Sequence, residues 1–386
     1  MAVYIFLTFV ISAVIGWIAI PNIIVISKRK RLFDAPNERK VHTQAIPRLG
    51  GISFLPGMMF SFCVALGVRY LTGNPLDVAF EESFFIDFLF FTAGLILLFF
   101  IGMADDLVGI SYKNKFIVQI LAALLLTAGD GTIHNLHGLF GVWEIPNVLG
   151  VFITVLVTVG LVNAYNLIDG VDGLCSGLGA IALTILSGWF FYNNISVYAM
   201  LGAGMLGTLV VFFLYNVRGL RLKIFMGDGG SLMLGYTIAF LGLKFYNFNF
   251  NPDFFNTPNV PVLALSVVFI PVFDTVRVFT ERILRGKSPF YPDKTHVHHL
   301  FLKIGYTHLQ STGLILIVAM LFVIFNFLFQ DMNINILFFA NIILGLVFLN
   351  WLPKQVIRRK ESLVQGSGKR HGEQKSYKNR NRNTDL

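Results

Sequence analysis

Six aspartates, three clustered histidines and a few cations mark where this chain could do chemistry. The densest stretch is Asn163-Ala-Tyr-Asn166-Leu-Ile-Asp169-Gly-Val-Asp172-Gly173, set directly between two apolar runs. Two asparagines and two aspartates do not enter hydrocarbon cheaply, and a connector that only reverses the chain has no need of them. Asp-Gly is also a common turn pair, so this segment alone fits a solvated hairpin equally well. Its companions decide the matter. Asp105 and Asp106 are adjacent, and two such charges need a cation, a metal or a proton to offset them. They close an apolar run, where acids oppose the helix macrodipole, and Lys113 and Lys115 follow as local partners. Asp228 lies among glycines in Phe225-Met-Gly-Asp-Gly-Gly-Ser231, at the mouth of the next run. A carboxylate there suits Mg²⁺, and exposed amides suit phosphate oxygens. Lys40, His42 and Arg48, with Pro47 and Gly50-Gly51, form a shaped cationic loop suited to phosphate.

His296, His298 and His299 fall within four residues, with no cysteine near them. Hydrogen bonding to a diphosphate suits them better than zinc does. Asp274 and Arg277, three apart on one helix face, could pair inside an apolar run, as a structural lock or as part of a site. Each cluster has an ordinary explanation alone: a topology anchor, a glycine loop, a solvated helix end. Six of them on one face of a membrane do not. Carboxylates to hold a divalent metal, with cations and amides to hold phosphate, are the parts of phosphoryl transfer.

The elements that must position these residues are apolar. Of 386 residues 55% are hydrophobic and 13% charged, with a mean hydropathy of +0.70. A soluble fold cannot hide that much apolar surface, so the chain reads as an all-α polytopic membrane protein. The net charge of +9 would suggest nucleic acid in a soluble protein; here its distribution excludes that partner. Cys63 and Cys175 fit neither a disulfide framework nor a zinc site. Runs near 3–26, 50–72, 84–104, 116–129, 147–163, 174–191, 195–215, 230–247, 260–280, 309–330 and 334–352 give eleven candidate helices. The first lacks a basic leader and a cleavage site and reads as a retained span.

One set of alternate loops holds 27 of the chain's 30 lysines and arginines, and every polar cluster lies on that side. The positive-inside rule makes it cytoplasmic, with the N-terminus outside and the C-terminus inside. Residues 1–353 form the membrane domain, and 354–386 read as a basic, disordered cytoplasmic tail.

The order Lys40…Pro47-Arg-Leu-Gly-Gly51, Asp105-Asp106, Asn163…Asn166…Asp169…Asp172-Gly, Phe225-Met-Gly-Asp-Gly-Gly-Ser231 and His296-Val-His298-His299 resembles the polyprenyl-phosphate N-acetylhexosamine-1-phosphate transferases over roughly residues 25–305. The resemblance implies a ten- or eleven-span fold in a bacterial plasma (inner) membrane, with a cytoplasmic active site. It implies transfer of an N-acetylhexosamine-1-phosphate from a UDP-sugar to undecaprenyl phosphate with release of UMP, as the first membrane step of a cell-envelope polysaccharide. The His-x-His-His form is similar to the branch with simple UDP-HexNAc donors, GlcNAc being the commonest. Implied catalytic residues are Asp105, Asp106, Asp228, His298 and His299, with Mg²⁺ (or Mn²⁺) on Asp228 and Asp105. Implied substrate contacts are Asn163, Asn166, Asp169, Asp172 and His296, to which charge adds Lys40, Arg48, Asp274 and Arg277. The sugar, the polymer and a homodimer are left open. A transporter or channel lined by Asp274, Arg277 and the aspartates is the alternative; it predicts midplane charges in several spans, whereas here only Asp87 and the Asp274/Arg277 pair lie inside.

Overall fold

The computed structural model describes residues 1–32, 46–74, 78–218, 222–249, 257–289, 295–349, 351–352 and 355; Lys40, His42 and nearly all of the 354–386 tail lie outside them. The chain is a helical bundle. Its elements are α1 (Ala2–Lys30), a 3-10 turn (Gly50–Ser53), α2 (Phe54–Leu71), α3 (Val78–Val108), α4 (Tyr112–Ala128), β1 (Asn135–Leu139), β2 (Val142–Glu144), α5 (Asn147–Ile168), α6 (Leu174–Tyr192), α7 (Ser196–Arg218), α8 (Gly227–Phe248), α9 (Val260–Val267), α10 (Phe269–Leu284), α11 (Val297–Ile304), α12 (His308–Leu328) and α13 (Ile334–Leu349).

Among the described residues, seven of the eleven expected runs are helices long and apolar enough to cross a bilayer, with α9 and α10 as an eighth if their 84° bend lies within one span. This is a multi-pass membrane protein. The other three runs form α4, α8 and α13. α4 and α13 are short, and α8 carries Asp228, Lys244 and several glycines. A helix enclosed by protein does not need a lipid-facing apolar surface, and α8 is buried almost throughout from Gly229 to Tyr246.

Two features depart from a row of uninterrupted helices. The 260–280 run breaks at Val268, because Pro271 has no N–H to continue the α9 ladder; in the first turn of α10 that loss costs nothing. The 130–146 connector folds into an antiparallel two-stranded hairpin, where Gly138 and Gly141 take positive φ. Phe140 at its tip donates its N–H to Asn335 Oδ1 (2.7 Å) and packs edge-on against Phe338.

Helix α8 is the axis, flanked by α3, α5 and α6. Its N-terminal glycines allow close backbone approaches to α3 and to the 3-10 turn. A Cβ on Gly102 of α3 would strike the backbone of Gly229, and one on Gly51 would strike Gly230. Small residues drive packing where lipid removes the hydrophobic advantage of association. Near its other end, Lys244 forms a buried pair with Asp87 of α3 (2.5 Å). Tyr198 and the Asp130 N–H also donate to Asp87 (2.8 and 2.9 Å), and Lys244 donates to the Asp130 carbonyl (2.7 Å). Removing one partner strands a buried charge, so Lys244→Met is expected to destabilise the fold by about 3–5 kcal/mol. Thermal melts in detergent check this: Lys244→Met alone should melt below the Asp87→Asn/Lys244→Met double variant.

Candidate active site at the α8 N-terminus

The site is assembled by backbone pairing before any side chain reaches it. The Phe225 N–H donates to the Pro47 carbonyl (2.8 Å), and the Gly50 and Gly51 N–H groups donate to Phe225 and Met226 (3.0 and 2.8 Å). The Pro-Arg-Leu-Gly-Gly and Phe-Met-Gly-Asp motifs are therefore neighbours, with exposed Arg48 at the same place. Gly227 has a φ of +75°, and a Cβ there would strike the Arg48 carbonyl, so the turn into α8 requires glycine.

The adjacent acids of α3 take different partners. Asp106 accepts the Asp228 and Gly229 N–H groups, one on each oxygen (2.8 and 3.0 Å). It caps α8, which has no side-chain cap of its own. An acid that opposes the dipole of its own helix is thus compensated by the positive end of another. Asp105 accepts the Ile110 N–H (2.5 Å) and pairs with Lys115 Nζ (2.8 Å). The same ammonium pairs with Asp228, whose other oxygen accepts Asn166 Nδ2 (2.9 Å). Asn166 also donates to Ser231 (2.9 Å). Lys115 thus links Asp105, close to it in sequence, to Asp228, 113 positions further along the chain.

A polar cavity of about 400 Å³ opens beside this group. Lys115, Asn163, Asn166, Asp169, His296, His298 and His299 line it together with Arg282 and Tyr112. Desolvation first, then the carboxylates of Asp228 and Asp106, push the Asp169 carboxyl well above the usual range. Asn163 is fixed by Gln119, whose carbonyl accepts its Nδ2 (2.6 Å). Gln119 and Asn216 escaped the sequence reading because each is a single polar residue in an apolar run, and Arg282 because it is one of several basic residues that open the 281–308 loop. Asn216 ties two loops, accepting the Gly173 N–H (2.5 Å) and donating to the Ile224 carbonyl (2.9 Å).

His298 packs onto the Gly170 backbone, and a Cβ at Gly170 would collide with its ring. It is 1% exposed; burial above all, with His299 beside it, lowers its pKa to about 3. Below about pH 6.5 the unfolded chain gains a proton here that the folded chain refuses, so stability falls with pH down to about 3 and is level above 6.5. Melts between pH 4 and 7 check this: the loss on acidification should be smaller in His298→Asn.

Other expected site residues stand apart. Asp172 turns from the cavity to Lys223 (2.6 Å) and His308 (3.2 Å). Those two partners outweigh burial and hold its carboxyl below the usual range. Asp274 and Arg277 pair (2.7 Å) behind His296 rather than at the cavity wall. A second, apolar cavity of about 610 Å³ shares Phe116, Asn163 and Phe279 with the polar one and runs along α5 and α8 to the hairpin residues Leu136 and Leu139. Among the described residues, no three His, Cys, Asp or Glu side chains converge as a ready metal cage.

Residues 88–246 match the sequence pattern of glycosyl transferase family 4. Undecaprenyl-phosphate alpha-N-acetylglucosaminyl 1-phosphate transferase of Yersinia pestis is 33% identical over 296 residues, 75% of this chain and 74% of that protein. The protein of that name in Escherichia coli K12 is 31% identical over 300 residues, 77% and 76% of the two chains. Decaprenyl-phosphate N-acetylglucosaminephosphotransferase of Mycolicibacterium smegmatis is 31% identical over 327 residues, 79% and 77%. With Asp105, Asn166 and Asp228 gathered at the matched α3–α8 core, the chain belongs to the polyprenyl-phosphate N-acetylhexosamine-1-phosphate transferases of glycosyl transferase family 4.

Proposed function

We propose that this protein transfers N-acetylglucosamine-1-phosphate from its UDP derivative to undecaprenyl phosphate at the cytoplasmic face, releasing UMP. The carrying observation is the junction of the two cavities. A polar chamber with Lys115, Asn166 and three histidines shares its wall with an apolar one, which suits a phosphate head on a long hydrocarbon tail. The names of the relatives support both the lipid and the sugar. The distribution of 27 of 30 basic residues supports an eleven-span chain with the N-terminus outside, the C-terminus inside and the site facing the cytoplasm.

In this reading the lipid phosphate attacks the sugar-bearing phosphorus, and UMP departs. Arg48 and Lys115 offset the charge of two approaching anions, joined by Lys40 from outside the described residues. A phosphate with a second pKa of about 6 is already largely a dianion at neutral pH, so no dedicated base is required. Mg²⁺ is commonly held by one or two carboxylates with substrate phosphates and water completing its shell. Asp228 and Asp105, facing the same ammonium, fit that donor set, and Mn²⁺ would suit it as well. When bound, the ion would neutralise the diphosphate. The transport alternative finds its intramembrane charges closed in pairs, Asp87 with Lys244 and Asp274 with Arg277.

The test is UMP release by purified protein given undecaprenyl phosphate, Mg²⁺ and a panel of UDP-N-acetylhexosamines. Release that needs lipid, metal and UDP-GlcNAc supports the reading; no release with any donor from folded protein refutes it.

A further inference from the structure

His296 is 5% exposed, lines the polar cavity, and places Nδ1 2.8 Å from Asp274 Oδ2. Its Nε2 is buried and meets no partner among the described residues. Asp274 is 2% exposed, and its other hydrogen-bond partners among the described residues are donors. Arg277 Nη2 reaches Oδ1 (2.7 Å), and the Val297 N–H approaches both oxygens (3.1 and 3.2 Å). The guanidinium and the Val297 N–H both stabilise an ionised carboxylate, and against that charge His296 Nδ1 is the donor. In the neutral ring the partner of one nitrogen sets the state of the other, so Nδ1–H places the lone pair on Nε2. Arg277 is held in turn by Glu281 and by the Thr295 carbonyl (both 2.7 Å), which fixes the carboxylate plane. A purely structural pair would not require the second nitrogen to be buried, unpartnered, at a cavity wall.

We propose that Asp274 is a positioning residue acting through His296: it holds the ring as the Nδ1–H tautomer, so that Nε2 offers the cavity a hydrogen-bond acceptor for a substrate O–H. The cavity's cations and amides are donors suited to phosphate oxygens; this acceptor selects for a hydroxyl of the nucleotide sugar or for the O–H of the lipid phosphate monoanion, the minor species at neutral pH. The choice of those two substrates rests on the transferase reading, whereas the tautomer does not.

Asp274→Asn tests this with little change of shape. Arg277 and the Val297 N–H retain the amide oxygen, the NH₂ turns to Nδ1, and the ring is forced to the Nε2–H form. Nitrogen-15 spectra of histidine-labelled protein in micelles, with His296 assigned by its loss in His296→Gln, should show Nδ1–H in the wild type and Nε2–H in Asp274→Asn. UMP release by Asp274→Asn should fall on the order of 10- to 100-fold. The Asp274→Asn/His296→Gln double variant should fall no further than His296→Gln alone, because the two residues act as one unit. A KM increase confined to the nucleotide sugar assigns the O–H to that substrate, and one confined to the lipid phosphate assigns it there. Nε2–H in the wild type, additive losses, or two unchanged KM values would overturn the proposal. A wild type that releases no UMP refutes the transferase reading while the spectra still decide the tautomer.

Discussion

Asp228→Asn is expected to lower UMP release by at least about 10³-fold, the scale of losing a preorganised charge at a reacting phosphate. The substitution keeps the volume and removes the charge that meets Lys115 and Asn166. The fold should survive, because the α8 N-terminus is held by the Asp106 carboxylate and by the Gly51–Gly230 and Gly102–Gly229 approaches, not by the Asp228 side chain. Melting temperature and gel-filtration profile should therefore match the wild type. Asp106→Asn provides the contrast: one of its two N–H acceptors is lost, so stability should fall by about 1 kcal/mol, as for a lost cap. Normal turnover by Asp228→Asn would remove this carboxylate from the mechanism.

The second large effect concerns the lipid. Gly160 and Gly242 line the apolar cavity, and a Cβ at either meets nothing within 4 Å. Gly160→Trp and Gly242→Trp would then fill the void instead of straining the bundle. The KM for undecaprenyl phosphate should rise at least about 10-fold, since each buried methylene displaced from the cavity forfeits roughly 0.8 kcal/mol. The KM for the nucleotide sugar should stay put. A prenyl phosphate short enough to stop before the block should recover near-normal kinetics. An unchanged lipid KM in both variants would place the tail elsewhere.

Much of the architecture was legible because a bilayer leaves an apolar chain few options. Backbone groups without water must bond within their own helix, so long apolar runs become spans and polar clusters collect at their ends. Asp105, Asn166, Asp228 and His296 announced themselves this way. The break between α9 and α10 was hidden because hydropathy does not register backbone direction, although Pro271 carried a cue. The β1–β2 hairpin was hidden in a short polar connector. Gln119 and Asn216 had no local signal at all, since each acts by meeting a residue more than 40 positions away or by bridging two loops.

By itself, the sequence determined that this chain is a helical membrane protein with its carboxylates, histidines and cations gathered at one face. Residue type and spacing carry that information locally. Only the tertiary structure decided how the acids divide their work: Asp106 to the α8 backbone, Asp105 and Asp228 to a shared lysine, Asp172 to Lys223 and His308, Asp274 to His296. Those pairings span up to 136 positions, from Asp172 to His308, or cross between helices. They depend on how closely glycine-faced helices approach one another, a property of packing that no local pattern of residues encodes.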